Sequence, residues 1–124
     1  MMKFGVCGDP KIALNAKEAG FDYFEWSVGN YLHPREEEAV FQMALAQAQE
    51  VGIPCPAANV FIPSDLKITG PDANLAALEV YVRTALRRAE IAGVETIVLG
   101  SGGARRIPDG FERKRAWEQL VAFG

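Results

Sequence analysis

The sequence is poor in the residues that build most metal and redox sites. It has one histidine, His33, and two cysteines, Cys7 and Cys55, in 124 residues. A single histidine excludes a histidine-based metal centre and could enter a catalytic triad only as one member. Two cysteines make no disulfide framework, so two buried thiols in a reducing cytoplasm are expected. Positive charge is not in excess. The net charge is −3, which removes the electrostatic case for nucleic acid or an anionic membrane. No apolar run approaches the roughly 20 residues that cross a bilayer. Met1, Met2 and Lys3 are not followed by the long apolar stretch of a secretory signal, so none is expected.

What is present suits one folded unit. Hydrophobic residues make up 49% of the chain, enough for one core over residues 1–124 and too little for two domains. Charged residues are 23% and well mixed, unlike a disordered chain.

Short β-like runs alternate with longer helical patterns. Strands are predicted at residues 4–7, 22–28, 53–60 and 95–99, and helices at 11–19, from His33-Pro34 to Val51, at 72–92 and from Phe111 onward. Asp9 and Pro10 read as a helix cap and first turn. Predicted apolar faces are Ile12, Ala16 and Ala19; Phe41, Ala44, Leu45, Ala48 and Val51; Leu75, Leu78, Val82, Leu86 and Ala89; and Trp117, Leu120 and Val121. Gly20, Gly52 and Gly93 occupy the same place in a repeated helix–glycine–strand join. The expectation is an α/β fold of four βα units with a parallel sheet. Four such units are half of a (βα)8 barrel, which takes about 250 residues. An open, doubly wound sheet fits the same periodicity.

Some polar residues stand where a core would not want them. Glu25 lies inside an aromatic strand, where burying a carboxylate without a partner is expensive. Alternation puts Tyr23, Glu25 and Ser27 on one face and Phe24, Trp26 and Val28 on the other. Asn59, near the end of the third strand, carries an amide suited to a sugar hydroxyl. Gly100 to Gly110 contains Ser101, Arg105 and Arg106; its glycines allow N–H groups to converge on an anion, with Arg105 placed to clamp it ahead of Arg106. The loop is neither a dinucleotide fingerprint nor a P-loop. His33 precedes a helix beside Pro34.

Phe21-Asp22-Tyr23-Phe24-Glu25, Asn59-Val60-Phe61-Ile62-Pro63 with the following residues 66–71, and Gly100-Ser101-Gly102-Gly103-Ala104-Arg105 with residues 108–111 together resemble the sugar phosphate isomerase/epimerase family of xylose-isomerase-like TIM barrels. The resemblance runs along the whole chain and implies its N-terminal half. It implies that Glu25, Asn59 and Arg105 contact a small sugar or sugar phosphate, with Ser101, Arg106 and His33 as further substrate-binding candidates. It implies a divalent metal (Mn, Mg, Co or Zn) in full-length members, held by later strands; none of those ligands maps here. The chain alone is therefore expected to hold no metal and no catalytic residue, and to be inactive. Bared sheet edges and a concave face carrying Val6, Tyr23, Ala58 and Val98 imply a homodimer or higher oligomer. The contrasting expectation is a self-contained small α/β domain that binds an anionic metabolite or only itself.

Overall fold

A computed structural model describes all 124 residues. Four strands, β1 (Gly5–Cys7), β2 (Tyr23–Ser27), β3 (Ala57–Asn59) and β4 (Thr96–Ile97), form one parallel sheet in the order β1-β2-β3-β4. Six helices accompany them: α1 (Ala13–Glu18), α2 (Val28–Tyr31), α3 (Glu38–Val51), α4 (Leu75–Ala92), α5 (Gly102–Arg105) and α6 (Arg113–Phe123). None is long and apolar enough to cross a membrane.

The strand order separates the two architectures that periodicity leaves open. Right-handed crossovers that always advance in one direction place every long helix on one face of the sheet. A doubly wound sheet reverses direction and covers both faces. Here the order never reverses, and the open sheet is consistent with half of a (βα)8 barrel. Burial agrees: Phe24, Trp26 and Ala58 are fully or nearly fully buried, whereas Tyr23, Glu25, Ser27, Ala57 and Asn59 between them are half-buried. The register also corrects the expected concave face. Val6 pairs with Phe24 and Ala58 with Trp26, so both belong to the helix-covered side.

Prolines shape β3 without breaking the sheet. Pro54 and Pro56 have no N–H, yet the Pro54 carbonyl accepts from Phe24 and the Pro56 carbonyl from Glu95 and Thr96. Strand β3 itself is shorter than predicted. Beyond β4, Val98 still donates to the Ala58 carbonyl at 2.8 Å. Asp9 caps as expected, its carboxylate accepting from the Lys11 amide at 2.9 Å.

Helical faces match less evenly. The α3 face is as predicted for Phe41, Ala44, Leu45 and Ala48. The α4 stripe is turned: Leu78, Tyr81, Ala85, Arg88 and Ala89 are buried, while Leu75 and Leu86 are exposed. In α1 the buried residues are Ala13 and Ala16, with Ile12 exposed; in α6 Ala116 is buried and Trp117 exposed. Ser27 caps the short helix α2 where a loop was expected, accepting from Asn30. That turn delays α3 to Glu38.

Arg88 explains the turned stripe. The residue is 3% exposed, and its guanidinium donates to the carbonyls of Leu32, His33 and Glu36. The guanidinium also lies 3.2 Å from Glu38 and over the Phe41 ring. A buried arginine thus satisfies the carbonyls of the α2–α3 link, which has no regular structure to do so.

Candidate functional site

The bare face of the sheet presents a compact polar group at the C-terminal ends of β1, β2 and β3. In register, Cys7 stands beside Glu25, and Ser27 beside Asn59. The Asn59 side-chain amide donates to Glu25 Oε1 at 2.9 Å and meets Cys7 Sγ at 2.8 Å. Glu25 Oε2 and Asn59 Oδ1 make no protein hydrogen bond. The partner that a strand-borne carboxylate needs is therefore an amide on the adjacent strand. Tyr23 lies on the same face with its ring over β1. A Cβ on Gly5 would stand 2.1 Å from that ring, so glycine is required there by the close approach.

Cys7 is exposed, which corrects the expectation of two buried thiols. Cys55 is half-buried, and burial pushes its thiol up to about 11. A thiol in an apolar strand has no distinguishing sequence signal, so the sequence does not mark Cys7 as a site residue. Only the register places it beside Glu25.

Ser101 is buried, and its hydroxyl accepts from the Ile62 amide at 2.9 Å. Its φ of 36° lies in the left-handed region, as do those of His33 at 47° and Val60 at 49°. These three non-glycine residues follow β4, β2 and β3. For β-branched Val60 that conformation is a genuine outlier.

The glycine-rich segment is more ordered than a flexible turn. It forms α5 and is stitched to residues 61–71: Ile68 donates to the Ala104 carbonyl, Lys67 to that of Gly103, and Thr69 to those of Arg105 and Arg106. Gly103 is needed because a Cβ there would meet Ser64 at 2.7 Å. Arg105 turns its Nε and Nη2 donors onto the Gly100 carbonyl, at 2.9 and 2.6 Å, so its planar fork closes its own loop. Arg106 is exposed and makes no side-chain hydrogen bond.

His33 lies apart from this group. It lines a polar cleft of about 200 Å³ with Asn30, Arg35, Glu36, Pro63 and Tyr81. The structure thus joins Glu25 and Asn59 directly, places Ser101 and Arg105 in the neighbouring loop scaffold, and leaves His33 in a separate cleft.

No group of three His, Cys, Asp or Glu side chains stands close enough together to hold a metal ion. Comparison with family models, curated proteins and solved structures returns no match.

Proposed function

We propose that this chain is the substrate-contacting half of a sugar or sugar phosphate isomerase or epimerase, whose full reaction moves a proton through an enediolate. One observation carries the reading: an amide and a carboxylate, hydrogen-bonded to each other, stand on the uncovered face of a sequentially ordered parallel sheet at the strand C-termini. Barrel enzymes place their chemistry at that end. Glu25 Oε2 accepts from a sugar hydroxyl, and Asn59 Oδ1 accepts from a second. The Tyr23 ring offers an apolar surface to the C–H side of the sugar.

Moving a proton from carbon requires a positioned base and an electrophile for the enolate oxygen. The chain supplies a carboxylate, a thiol and an amide, and no electrophile. Its own part is binding and orientation. Two copies, meeting through the free edges of β1 and β4, form the expected oligomer.

The test is titration of the isotope-labelled protein with pentoses, hexoses and their phosphates, read by NMR at the Asn59 side-chain amide. Saturable shifts that Glu25→Gln and Asn59→Ala each abolish are expected. No shift on the sheet face, or shifts confined to the His33 cleft, overturns the reading.

A further inference from the structure

The outer strands leave the sheet with two open edges on opposite sides. On β4, Thr96 donates to Pro56 and Val98 to Ala58, so the N–H and C=O groups of Ile97 and Leu99 point away from β3. On β1, Phe4 accepts from Asp22 and Gly8 donates to Glu25, so the groups of Gly5 and Cys7 point away from β2. Unpaired rows of this kind are templates for another strand. No proline stands in residues 1–9 or 94–99 to block either edge.

The helix-covered side is unfinished at the same two places. Helix α6 follows β4, and a right-handed crossover sets it over the groove between β4 and the next strand in the order. Gln119 exchanges hydrogen bonds with Gly70, and Ala122 and Phe123 face Leu75 and Val82 of α4. These contacts turn Trp117 and Val121 to the opposite flank, where Trp117 is 65% exposed and Val121 nearly as much. At the other edge Phe4 is 63% exposed, and Ile12, beside Gly8, is exposed too. Charge matches as well. Lys3 precedes β1 and Glu95 precedes β4; both are exposed and neither is ion-paired. Parallel pairing of the two edges sets them side by side.

Each edge therefore fits the other in polarity, apolar cover and charge. Four strands cannot close on themselves, so the complement comes from a second copy. We infer that two copies close into one ring of eight parallel strands about a two-fold axis, β4 of each pairing with β1 of the other, so that both Cys7–Glu25–Asn59 groups face a single mouth. Closure leaves no edge. Trp117 and Val121 then cover the Phe4 and Ile12 of the other copy. The inward positions Gly5, Cys7, Ser27, Ala57 and Thr96 carry small side chains, which suits an eight-stranded ring that holds one small ligand. The shared mouth rests on the sugar reading for its ligand; the closure itself is tested without any sugar.

Cys7 is exposed on the inward face, whereas Cys55 is half-buried. In the closed ring the two Cys7 thiols stand across one mouth. A short bismaleimide should join two chains there, doubling the mass on a denaturing gel, and Cys7→Ser should lose that product. Sedimentation of the intact chain should show a dimer. Trp26 is buried, so the emission of exposed Trp117 should shift to the red as the dimer is diluted. Trp117→Arg should weaken the dimer about thirtyfold or more. Leu99→Pro removes an N–H that no carbonyl of its own chain accepts, so the fold stands while the dimer is lost. Far-UV circular dichroism checks the fold of both variants. A monomer at high micromolar concentration overturns the inference. So do dimers that survive both substitutions, dimers without the Cys7 cross-link, and open-ended filaments. Sugar-induced shifts at Asn59 in a monomer would overturn the closure and leave the sheet-face reading standing. A cross-linked dimer that binds no sugar would support the closure and overturn that reading alone.

Discussion

Asn59 Nδ2 donates to Glu25 Oε1 at 2.9 Å across the boundary between β2 and β3. The two residues are 34 positions apart in the chain, and only parallel pairing of their strands brings them together. The amide fixes one carboxylate oxygen and leaves the other free. Asn59→Leu, close in size, should therefore leave a half-buried carboxylate without its donor and cost about 1–2 kcal/mol of stability. The urea midpoint measures this. An unchanged midpoint in the variant would mean that water takes over the amide's place at Glu25.

Arg88 should be the most sensitive charged position. Arg88→Met retains much of the volume but abandons the carbonyls of Leu32, His33 and Glu36. The Leu32 carbonyl is left buried without the arginine's donor, while the His33 carbonyl keeps the Glu36 amide, so a loss of about 1–3 kcal/mol is the expected result of urea denaturation. A loss under about 1 kcal/mol would mean that water replaces the guanidinium without difficulty.

Glu38 gives the fold an acid-sensitive pair. Hydrogen bonding from Arg87, above all, holds its carboxyl down to about 2 from the ordinary 4.5. A depressed folded value means stability that is present above pH 4.5 and is lost as pH falls toward 2. The urea midpoint should fall over that interval, and Glu38→Gln should flatten the fall. Equal slopes for the two proteins would assign acid sensitivity elsewhere. Because the pair is solvent-exposed, added salt should weaken the effect.

The two thiols should react unequally. Cys7 is exposed, whereas burial pushes Cys55 up to about 11. At pH 8 a thiol of that kind is only about 0.1% thiolate. Native protein should titrate rapidly with one equivalent of a disulfide reagent, and Cys7→Ser should remove that phase. Two equally fast thiols would contradict the half-buried placement of Cys55.

Gly5 should tolerate no side chain while Tyr23 keeps its place. A Cβ there would meet the ring at 2.1 Å. Gly5→Ala is expected to cost about 1–3 kcal/mol through overpacking. Adding Tyr23→Ala should relieve the clash, with a coupling on the order of 1 kcal/mol in a double-mutant cycle. Simple additivity would show that the ring does not lie over β1.

Much of this protein is written locally. The alternation of Tyr23, Glu25 and Ser27 with Phe24, Trp26 and Val28 sets the two faces of β2, because successive side chains must point oppositely. Gly20, Gly52 and Gly93 take positive φ at the joins, as helix ends commonly require. Asp9 caps, and the α3 face is periodic enough to read directly. These features depend on residues a few positions apart. The rest depends on partners far along the chain. Strand order, which leaves one face bare, follows from how the crossovers advance. Arg88 lies on the buried stripe of α4, between Ala85 and Ala89, and a charged residue at that spacing was the available signal. Its burial is offset by three carbonyls 52 to 56 residues away and by the Glu38 carboxylate. Arg105 reads as a free cation in sequence, yet its fork closes on Gly100. Cys7 reads as a core thiol, yet register carries it to the open face beside Glu25. Periodicity determines which way a side chain points relative to its own backbone; only packing between distant segments determines what it meets there.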